Sequence, residues 1–189
     1  MLDLFWRSGR TIVASVIVAC AGSLAHACEL AAFESATVSE VPSDGWQVDI
    51  GNVLELTYPR PPARVEMLGS LLAVRFADGS GAALTMRGVD ELGAFGEAAK
   101  DGAPAFWRRV FTTNSLVACE MSVAMQLAEQ DYRIHLFRDD FDFFAFGKNQ
   151  RHEFYAIARR AEGGVVHGVF TGMSKAEFVS ILSTATTQD

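Results

Sequence analysis

The sequence feature that most constrains the fold is a hairpin pattern in the first half of the chain. Apolar residues alternate with other residues along two runs that flank the turn Asp78-Gly79-Ser80-Gly81: Leu72, Val74 and Phe76 precede it, and Ala82, Leu84 and Met86 follow it. A period of two places the apolar side chains on one face of a strand, and a glycine-rich turn joins antiparallel neighbours. The pattern therefore predicts an antiparallel sheet with a buried face.

Further strands are predicted on both sides of this hairpin. Alternating runs occupy residues 46–50 and 54–58, which predict two short strands or one bulged strand, and residues 132–136. The aromatic stretch at residues 141–146 is also predicted to be extended. A second hairpin is predicted for residues 154–160 and 165–171, which flank the turn Ala161-Glu162-Gly163-Gly164. The chain thus contains an early and a late block of strands.

The segment between the two blocks has the pattern of helices, at residues 89–100, 105–112 and 115–129. The last of these is predicted to be largely buried, because four apolar residues recur at helical spacing: Leu116, Cys119, Val123 and Leu127. A final helix is predicted after the capping box Ser174-Lys175-Ala176-Glu177. This order of elements predicts an α+β fold, an antiparallel sheet with helices packed against it.

The C-terminal stretch FYAIARRAEGGVVHGVFTGMSKAEFVSIL resembles the close of PsbP-type domains, in which a late hairpin leads into a final amphipathic helix. The likeness covers the last third of the chain and rests on the pattern of elements. It implies a small α/β/α sandwich. Such folds are common among exported accessory proteins and lipoproteins, and they often carry no catalytic site.

The N-terminus has the pattern of a secretory signal peptide. Arg7 and Arg10 precede an uncharged apolar run at residues 11–24, and Ala25-His26-Ala27 places small residues where signal peptidase inspects the chain. We expect residues 1–27 to be removed and residues 28–189 to form one globular domain. The alternatives are a retained membrane anchor or an apolar helix of the folded domain.

A second cleavage site competes with the first. Ile17-Val18-Ala19-Cys20 resembles the lipobox of bacterial lipoproteins, which implies cleavage before Cys20 and lipidation of its thiol. Under either cut, Cys28 and Cys119 are the thiols that remain, and an even number in an exported protein suggests a disulfide. Such a bond contributes roughly 4–5 kcal/mol in the chain-entropy description. The alternative is two separate buried cysteines.

The charge balance narrows the class of partner. The chain has 16 Lys and Arg against 23 Asp and Glu, a net charge of −7, which becomes −8 when residues 1–27 are removed. This acidity argues against nucleic acid and anionic membrane as partners. We therefore expect a protein or small-molecule partner, with membrane contact only through a lipid on Cys20.

No catalytic or cofactor motif stands out in the sequence, which lacks a G-x-S-x-G elbow, a C-x-x-C pair, a dinucleotide fingerprint and a phosphate loop. Three histidines follow the leader. His135 and His167 lie in predicted strands. If these two strands were neighbours in the sheet, the two side chains could form a metal site. His152-Glu153 begins like a metalloprotease motif but lacks the second histidine. We expect no metal, no cofactor and no catalytic residue.

Asp139, Asp140 and Asp142 form the densest acidic cluster. A calcium loop needs oxygen ligands at alternate positions and a turn-forming glycine, whereas aromatic residues separate these carboxylates. We expect a turn at a strand end, with solvated carboxylates.

Aromatic residues lie beside charged residues at two places in the sequence, a composition that is typical of interface hot spots. We therefore take four of these aromatic residues as a candidate interface: Phe106, Trp107, Phe143 and Phe144. Phe143 and Phe144 would point to opposite faces of one strand, so that a helix or a partner must cover the second face. The alternative is that all four rings belong to the core.

These observations favour an exported, periplasmic protein that acts by binding rather than by catalysis. Three alternatives stay open. The first is an immunity or inhibitor protein against a cationic toxin or enzyme. The second is an inner- or outer-membrane lipoprotein anchored at Cys20, and the third is a hydrolase whose site is assembled from distant positions.

Overall fold

The computed structural model describes residues 32–36, 45–160 and 164–187, and they form the α+β fold that the sequence predicts. The large sheet contains β1 Glu34–Ser35, β4 Arg64–Leu68, β5 Leu71–Arg75, β6 Gly81–Arg87, β7 Tyr132–Arg138, β8 Phe141–Lys148, β9 Arg151–Ala158 and β10 Val165–Thr171. Their spatial order is β1-β7-β8-β9-β10-β6-β5-β4. The sheet is mixed rather than purely antiparallel, because the two-residue β1 pairs parallel with β7.

A smaller sheet and the helices complete the fold. The small antiparallel sheet contains β2 Trp46–Ile50, β3 Leu54–Tyr58 and β11 Thr186–Thr187, in the order β11-β3-β2. The helical segments are the 3₁₀ helix η1 Val89–Ala99, α1 Ala103–Thr112, α2 Leu116–Ala124, the 3₁₀ turn η2 Leu127–Glu129 and α3 Lys175–Ser183. None of the helices in the described part of the chain is long and apolar enough to cross a membrane.

The middle of the large sheet is buried on both faces. On one face, the first core joins the large sheet to the small sheet and α3 through residues such as Phe143, Phe154 and Phe178. On the other face, the second core joins the same strands to η1 and α1 through residues such as Phe144 and Phe106. Full burial of such a side chain contributes about 1.5–3 kcal/mol. The two layers together therefore account for much of the stability.

Gly168 lets β10 pack closely within the first core. It lies opposite Phe154 of β9 and Leu84 of β6. A Cβ atom at this position would lie 2.1 Å from Phe154 Cε1 and 2.8 Å from Leu84 Cδ2. The absence of a side chain at Gly168 thus leaves the space that the Phe154 ring fills.

The third predicted helix is shorter and more exposed than its pattern suggests. It ends at Ala124, and Gln126 has a left-handed backbone with φ of 51°. Leu116 and Val123, which were expected to face the core, are 61% and 70% exposed, and the residues that α2 buries are Ala118 and Cys119. The reason is that α2 packs beside α1 at the margin of the helical layer, so that only a narrow side of it is covered.

The final helix begins as its capping box predicts, but only half of the box forms. The backbone N–H of Glu177 donates to Ser174 Oγ at 3.1 Å. The Glu177 carboxylate pairs instead with Arg60, at 3.0 Å. The capping residue thus fixes where α3 begins, while the glutamate anchors the proline-rich loop after β3.

We expect Gly168→Ala to lower the free energy of unfolding by about 1–3 kcal/mol, because the added methyl group must displace Phe154 or Leu84. Gly88→Ala is the matched control, since the nearest atom to a Cβ there is 4.0 Å away and φ is −92°. Denaturant unfolding measures both. Equal stability of the two variants would show that the first core is not packed as described.

Candidate functional site

A row of rings crosses the face of the sheet that the helical layer covers. His135 of β7 lies opposite Phe144 of β8, Phe144 lies opposite Tyr155 of β9, and Tyr155 lies opposite His167 of β10. Ring centroids are 4.6 Å apart for His135 and Phe144 and 4.4 Å apart for Tyr155 and His167. The ring of Trp107 on α1 covers the middle, 4.4 Å from that of Tyr155. The row thus carries one histidine at each end.

The two histidines of the row do not meet, because their strands are not neighbours. Two strands lie between β7 and β10, which separates His135 from His167 by roughly 14 Å at the usual strand spacing. A shared metal ion would require nitrogen atoms at about 2 Å from it. Among the described residues, no group of three or more His, Cys, Asp or Glu side chains is placed to hold a metal ion.

His167 is held on both sides of its ring. Arg87 Nη2 lies 2.9 Å from Nδ1, and since a guanidinium can only donate, Nδ1 accepts this bond and we infer that the ring proton is on Nε2. Nε2 in turn lies 3.3 Å from Glu153 Oε2. Arg151 donates to the other oxygen of Glu153 at 2.8 Å, and Arg87 also donates to Glu91 at 2.7 Å. The result is a chain of hydrogen bonds that runs from Glu91 through Arg87, His167 and Glu153 to Arg151.

The protonation states of this cluster follow from burial and from its hydrogen bonds. Burial lowers the pKa of His167, the bond to Glu153 opposes that shift, and the charge of Arg87 adds to it. Burial by itself raises the pKa of Glu153, but the bonds from His167 and Arg151 outweigh it and hold the pKa below its ordinary value. A general base must offer a lone pair to its substrate, and Arg87 occupies the one on His167. The cluster therefore links β6, β9, β10 and η1 rather than activating a nucleophile.

The other end of the row is an ion-pair cluster around Asp142. His135 Nε2 and Arg159 Nη2 each lie 3.2 Å from Oδ1, and Arg108 Nε lies 3.6 Å from Oδ2. Burial raises the pKa of Asp142, but the hydrogen bonds from Arg159 and His135 together bring it below its ordinary value. The carboxylate is thus ionised and shared, and it ties β7, β8 and α1 together.

The acidic cluster is divided among three separate partners. Asp139 and Asp140 form the turn between β7 and β8, as expected. The Asp139 carboxylate accepts hydrogen bonds from the backbone N–H and the hydroxyl of Thr187, both at 2.6 Å, and these bonds lower its pKa. Asp140 pairs with Arg160 at 2.9 Å. Asp139 and Asp140 are therefore solvent-accessible, as expected, but each also binds a neighbouring residue, and the three carboxylates do not converge.

His152 is a structural histidine of the first core. It is fully buried, with Nε2 donating to the backbone carbonyl of Met173 at 2.9 Å and Nδ1 accepting from the hydroxyl of Tyr132 at 2.8 Å. Its ring stacks on Phe178 with centroids 5.0 Å apart. His152 therefore fastens β9 to the segment that precedes α3.

The four rings of the candidate interface are all in the core, which corrects that assignment. Phe106, Trp107, Phe143 and Phe144 are 1%, 6%, 0% and 3% exposed. Phe143 belongs to the first core, and the other three belong to the second. The physical reason is that the chain itself covers both faces of β8, so that none of these four rings is left for a partner.

The predicted cysteine chemistry falls largely outside the described residues. Cys119 is buried on α2. Cys20, Cys28 and both cleavage sites lie outside the described residues. The Cys28–Cys119 disulfide and the lipidation of Cys20 therefore stay predictions.

One part of the sheet is left half-exposed, and we call it the open sheet face. It consists of five half-buried residues on the sheet face that carries the helical layer: Leu71, Ala73, Ala83, Thr85 and Val169. The four apolar residues among them belong to neither core. Ala83 lies opposite both Val169 and Ala73, and Thr85 lies opposite Leu71. The helical layer ends on β10, where it covers Val165 but leaves Val169 half-buried.

The open sheet face was missed at the level of sequence, although a signal for it is present. In the β5–β6 hairpin, the positions that alternate away from the predicted core should be polar if water covers them. Leu71, Ala73 and Ala83 occupy such positions instead. Apolar residues on the second face of a hairpin indicate that the face is not simply solvated.

Comparisons with protein-family models, with characterised proteins and with solved structures found no match. The resemblance of the last third of the chain to PsbP-type domains therefore stays a prediction. The function is inferred below from the side chains themselves.

His167 should make stability fall as the pH drops below 6.5, the ordinary pKa of histidine. Because the pKa of His167 is lowered in the folded protein, the unfolded chain takes up a proton first as the pH falls. The contribution of His167 to the free energy of unfolding is therefore complete above pH 6.5, and it is lost as the pH falls towards the pKa of His167 in the folded protein. Since glutamine can keep both hydrogen bonds but cannot titrate, His167→Gln should flatten this dependence, by up to about 1.4 kcal/mol per pH unit. The measurement is the free energy of unfolding in urea at pH values from about 5 to about 8, the range in which histidine titrates.

The two neighbours of His167 provide opposite controls. Glu153→Gln should lower the pKa of His167 further, and Arg87→Gln should raise it, because Glu153 favours the protonated ring and Arg87 opposes it. Titration of the imidazole by NMR detects both shifts. Shifts in the same direction would contradict the hydrogen-bond assignment.

Proposed function

We propose that this protein is an exported, non-catalytic binding or accessory protein, and that it recognises an apolar segment of a partner protein on the open sheet face. The observation that carries the proposal is the incomplete cover of the large sheet. The second core buries this face on β8, β9 and the start of β10, whereas on β5 and β6 the same face stays half-exposed. Contiguous exposed apolar surface is typical of interaction sites.

The placement of the titratable groups supports binding over catalysis. Both nitrogens of His152 and both nitrogens of His167 have partners. Asp142 is shared between His135 and Arg159. Side chains whose polar atoms already bind neighbouring strands are poorly suited to proton transfer, because proton transfer needs a free lone pair or proton that faces the substrate.

The shape of the open sheet face favours a protein over a small molecule. Small-molecule sites are concave and enclose most of their ligand, whereas this surface lies on the face of a sheet beyond the last helix that covers it. Its middle row consists of Ala73, Ala83 and Val169, and larger side chains such as Leu71 and Arg75 lie on either side. Rows on the two sides are four residues apart along a strand, which is roughly 14 Å. This spacing is comparable to the diameter of a helix, about 10–12 Å.

The export part of the proposal rests on the N-terminal pattern. A basic start, an apolar run and Ala25-His26-Ala27 support cleavage and transport out of the cytoplasm. An oxidising compartment would also suit the Cys28–Cys119 pair. The periplasm is the compartment that fits these features together.

A charge placed in the middle of the open sheet face should abolish recognition there. We expect Ala83→Glu to reduce the fluorescence of the anionic dye 1-anilinonaphthalene-8-sulfonate bound to the folded protein by roughly half or more, because the dye reports exposed apolar surface and the added carboxylate repels its sulfonate. Ala128→Glu is the matched control, since Ala128 is exposed on η2, away from this face. A photo-crosslinking residue at position 83 should then give one discrete protein adduct in intact cells, and the same residue at position 128 should not.

Either of two results would count against this surface. One is dye binding that Ala83→Glu leaves at the level of the Ala128→Glu control. The other is a crosslinking pattern that is identical for the probes at positions 83 and 128.

The export claim has its own test in the intact mass of the protein from envelope fractions, alkylated with and without prior reduction. We expect a chain that begins at Cys28 and is alkylated at two sites only after reduction, because cleavage follows Ala27 and the two thiols are joined. A chain that begins at an acylated Cys20 would make it an anchored lipoprotein. An uncleaved Met1 would contradict export, and alkylation of Cys28 and Cys119 without reduction would contradict the disulfide.

A further inference from the structure

The large sheet ends at β4, and this strand exposes apolar side chains. Val65, Met67 and Leu68 are 42%, 66% and 57% exposed. In the described part of the chain, β5 is the one strand that pairs with β4, so the outer edge of β4 has no strand beside it. A free edge with exposed apolar residues is a template for pairing with another strand.

The hairpin between β4 and β5 sets which backbone groups point to that edge. Leu68 lies opposite Leu71 across the two-residue turn Gly69-Ser70. The pair that closes a two-residue turn exchanges hydrogen bonds, and such pairs alternate with non-bonded ones along antiparallel strands. Glu66 therefore bonds inward to β5, as Leu68 does. The N–H and C=O groups of Val65 and Met67 point outward.

We propose that β4 pairs antiparallel with β4 of a second copy of this chain, about a twofold axis that passes through Val65. The outward N–H and C=O groups of the two Val65 residues then bond to each other reciprocally, as the geometry of a hydrogen-bonded pair requires. This inference does not rest on the proposed function, since it concerns the edge of the sheet and not its open face.

Charge complementarity selects this register. With the axis at Val65, Arg64 of each chain lies opposite Glu66 of the other, and opposite charges at cross-strand positions are favourable. The two side chains already form an ion pair within one strand, on the face opposite Val65. An axis at Glu66 would place the two Glu66 carboxylates against each other. An axis at Met67 would place Val65 opposite Gly69, in the turn.

The proline before β4 also tolerates this register. Pro62 would lie opposite Leu68 of the second copy, at a position that is not hydrogen-bonded between the two chains. The missing N–H of proline costs nothing there.

Because the large sheet becomes continuous through β4, the open sheet faces of the two copies join into one surface flanked by two helical layers.

Charge exchange between two variants tests the pairing. Arg64→Glu or Glu66→Arg alone should weaken self-association roughly tenfold or more, because each sets like charges opposite each other at two places. A mixture of the two variants should recover wild-type affinity as a heterodimer, since the opposite charges then face each other again. Analytical ultracentrifugation with one variant fluorescently labelled measures this. Arg75→Glu is the matched control, because Arg75 lies opposite Arg64 on β5, one strand inside the edge, and it should associate as the wild type does.

Crosslinking tests the register. The two Val65 Cα atoms would be about 5.5 Å apart as a hydrogen-bonded pair, which lies within the range of a disulfide. Val65→Cys should therefore give a covalent dimer on mild oxidation, while Met67→Cys and the wild type should not. A wild type that stays monomeric at every concentration would overturn the proposal. So would a covalent dimer that forms only when the Val65→Cys and Met67→Cys variants are mixed, since that product reports the axis at Glu66.

Discussion

The structure depends on the burial of two neighbouring strands, β8 and β9, on both of their faces. Phe143 and Phe144 are adjacent in sequence, yet each is almost fully buried, in a different core. Apolar side chains on both faces of a strand require two covering layers, because neither face can be left to water. The small sheet with α3 supplies one layer, and η1 with α1 supplies the other. The remaining strands extend outward from this doubly covered centre.

The same constraint explains where the polar groups lie. A histidine or carboxylate on a covered face must find a partner, since an unpaired polar group in the interior costs about 1–3 kcal/mol. His152 finds the Met173 carbonyl and the Tyr132 hydroxyl in the first core. His167 finds Arg87 and Glu153 at the boundary where the helical layer ends. These groups serve the packing of the sheet, and the open sheet face begins where that packing stops, at the end of β10 and on β6 and β5.

Local patterns predicted most of the strands and the beginning of α3, because alternation, turn residues and a capping serine are properties of short segments. The β5–β6 and β9–β10 hairpins and the Ser174 cap are the clearest cases. What the sequence did not predict depends on distant partners. Strand β4 has neither clean alternation nor a strong turn before it, and it exists because β5 pairs with it. The separation of His135 from His167, the bond from Asp139 to Thr187 and the exposure of Leu116 on α2 all depend on which strands or helices become neighbours. A periodic pattern shows which residues share a face, but not what covers that face.

The central claim is that β8 and β9 are covered on both faces, whereas β5 and β6 are well covered only on the face of the first core. The most direct measurement is the relaxation of alanine methyl groups by a soluble paramagnetic agent, observed by NMR on the folded protein. The account predicts strong broadening for Ala73 and Ala83 on the open sheet face, and protection for Ala145 and Ala156, which are buried in the first core. Equal protection of all four methyl groups would contradict it, because another part of the chain would then cover the surface on which recognition is proposed.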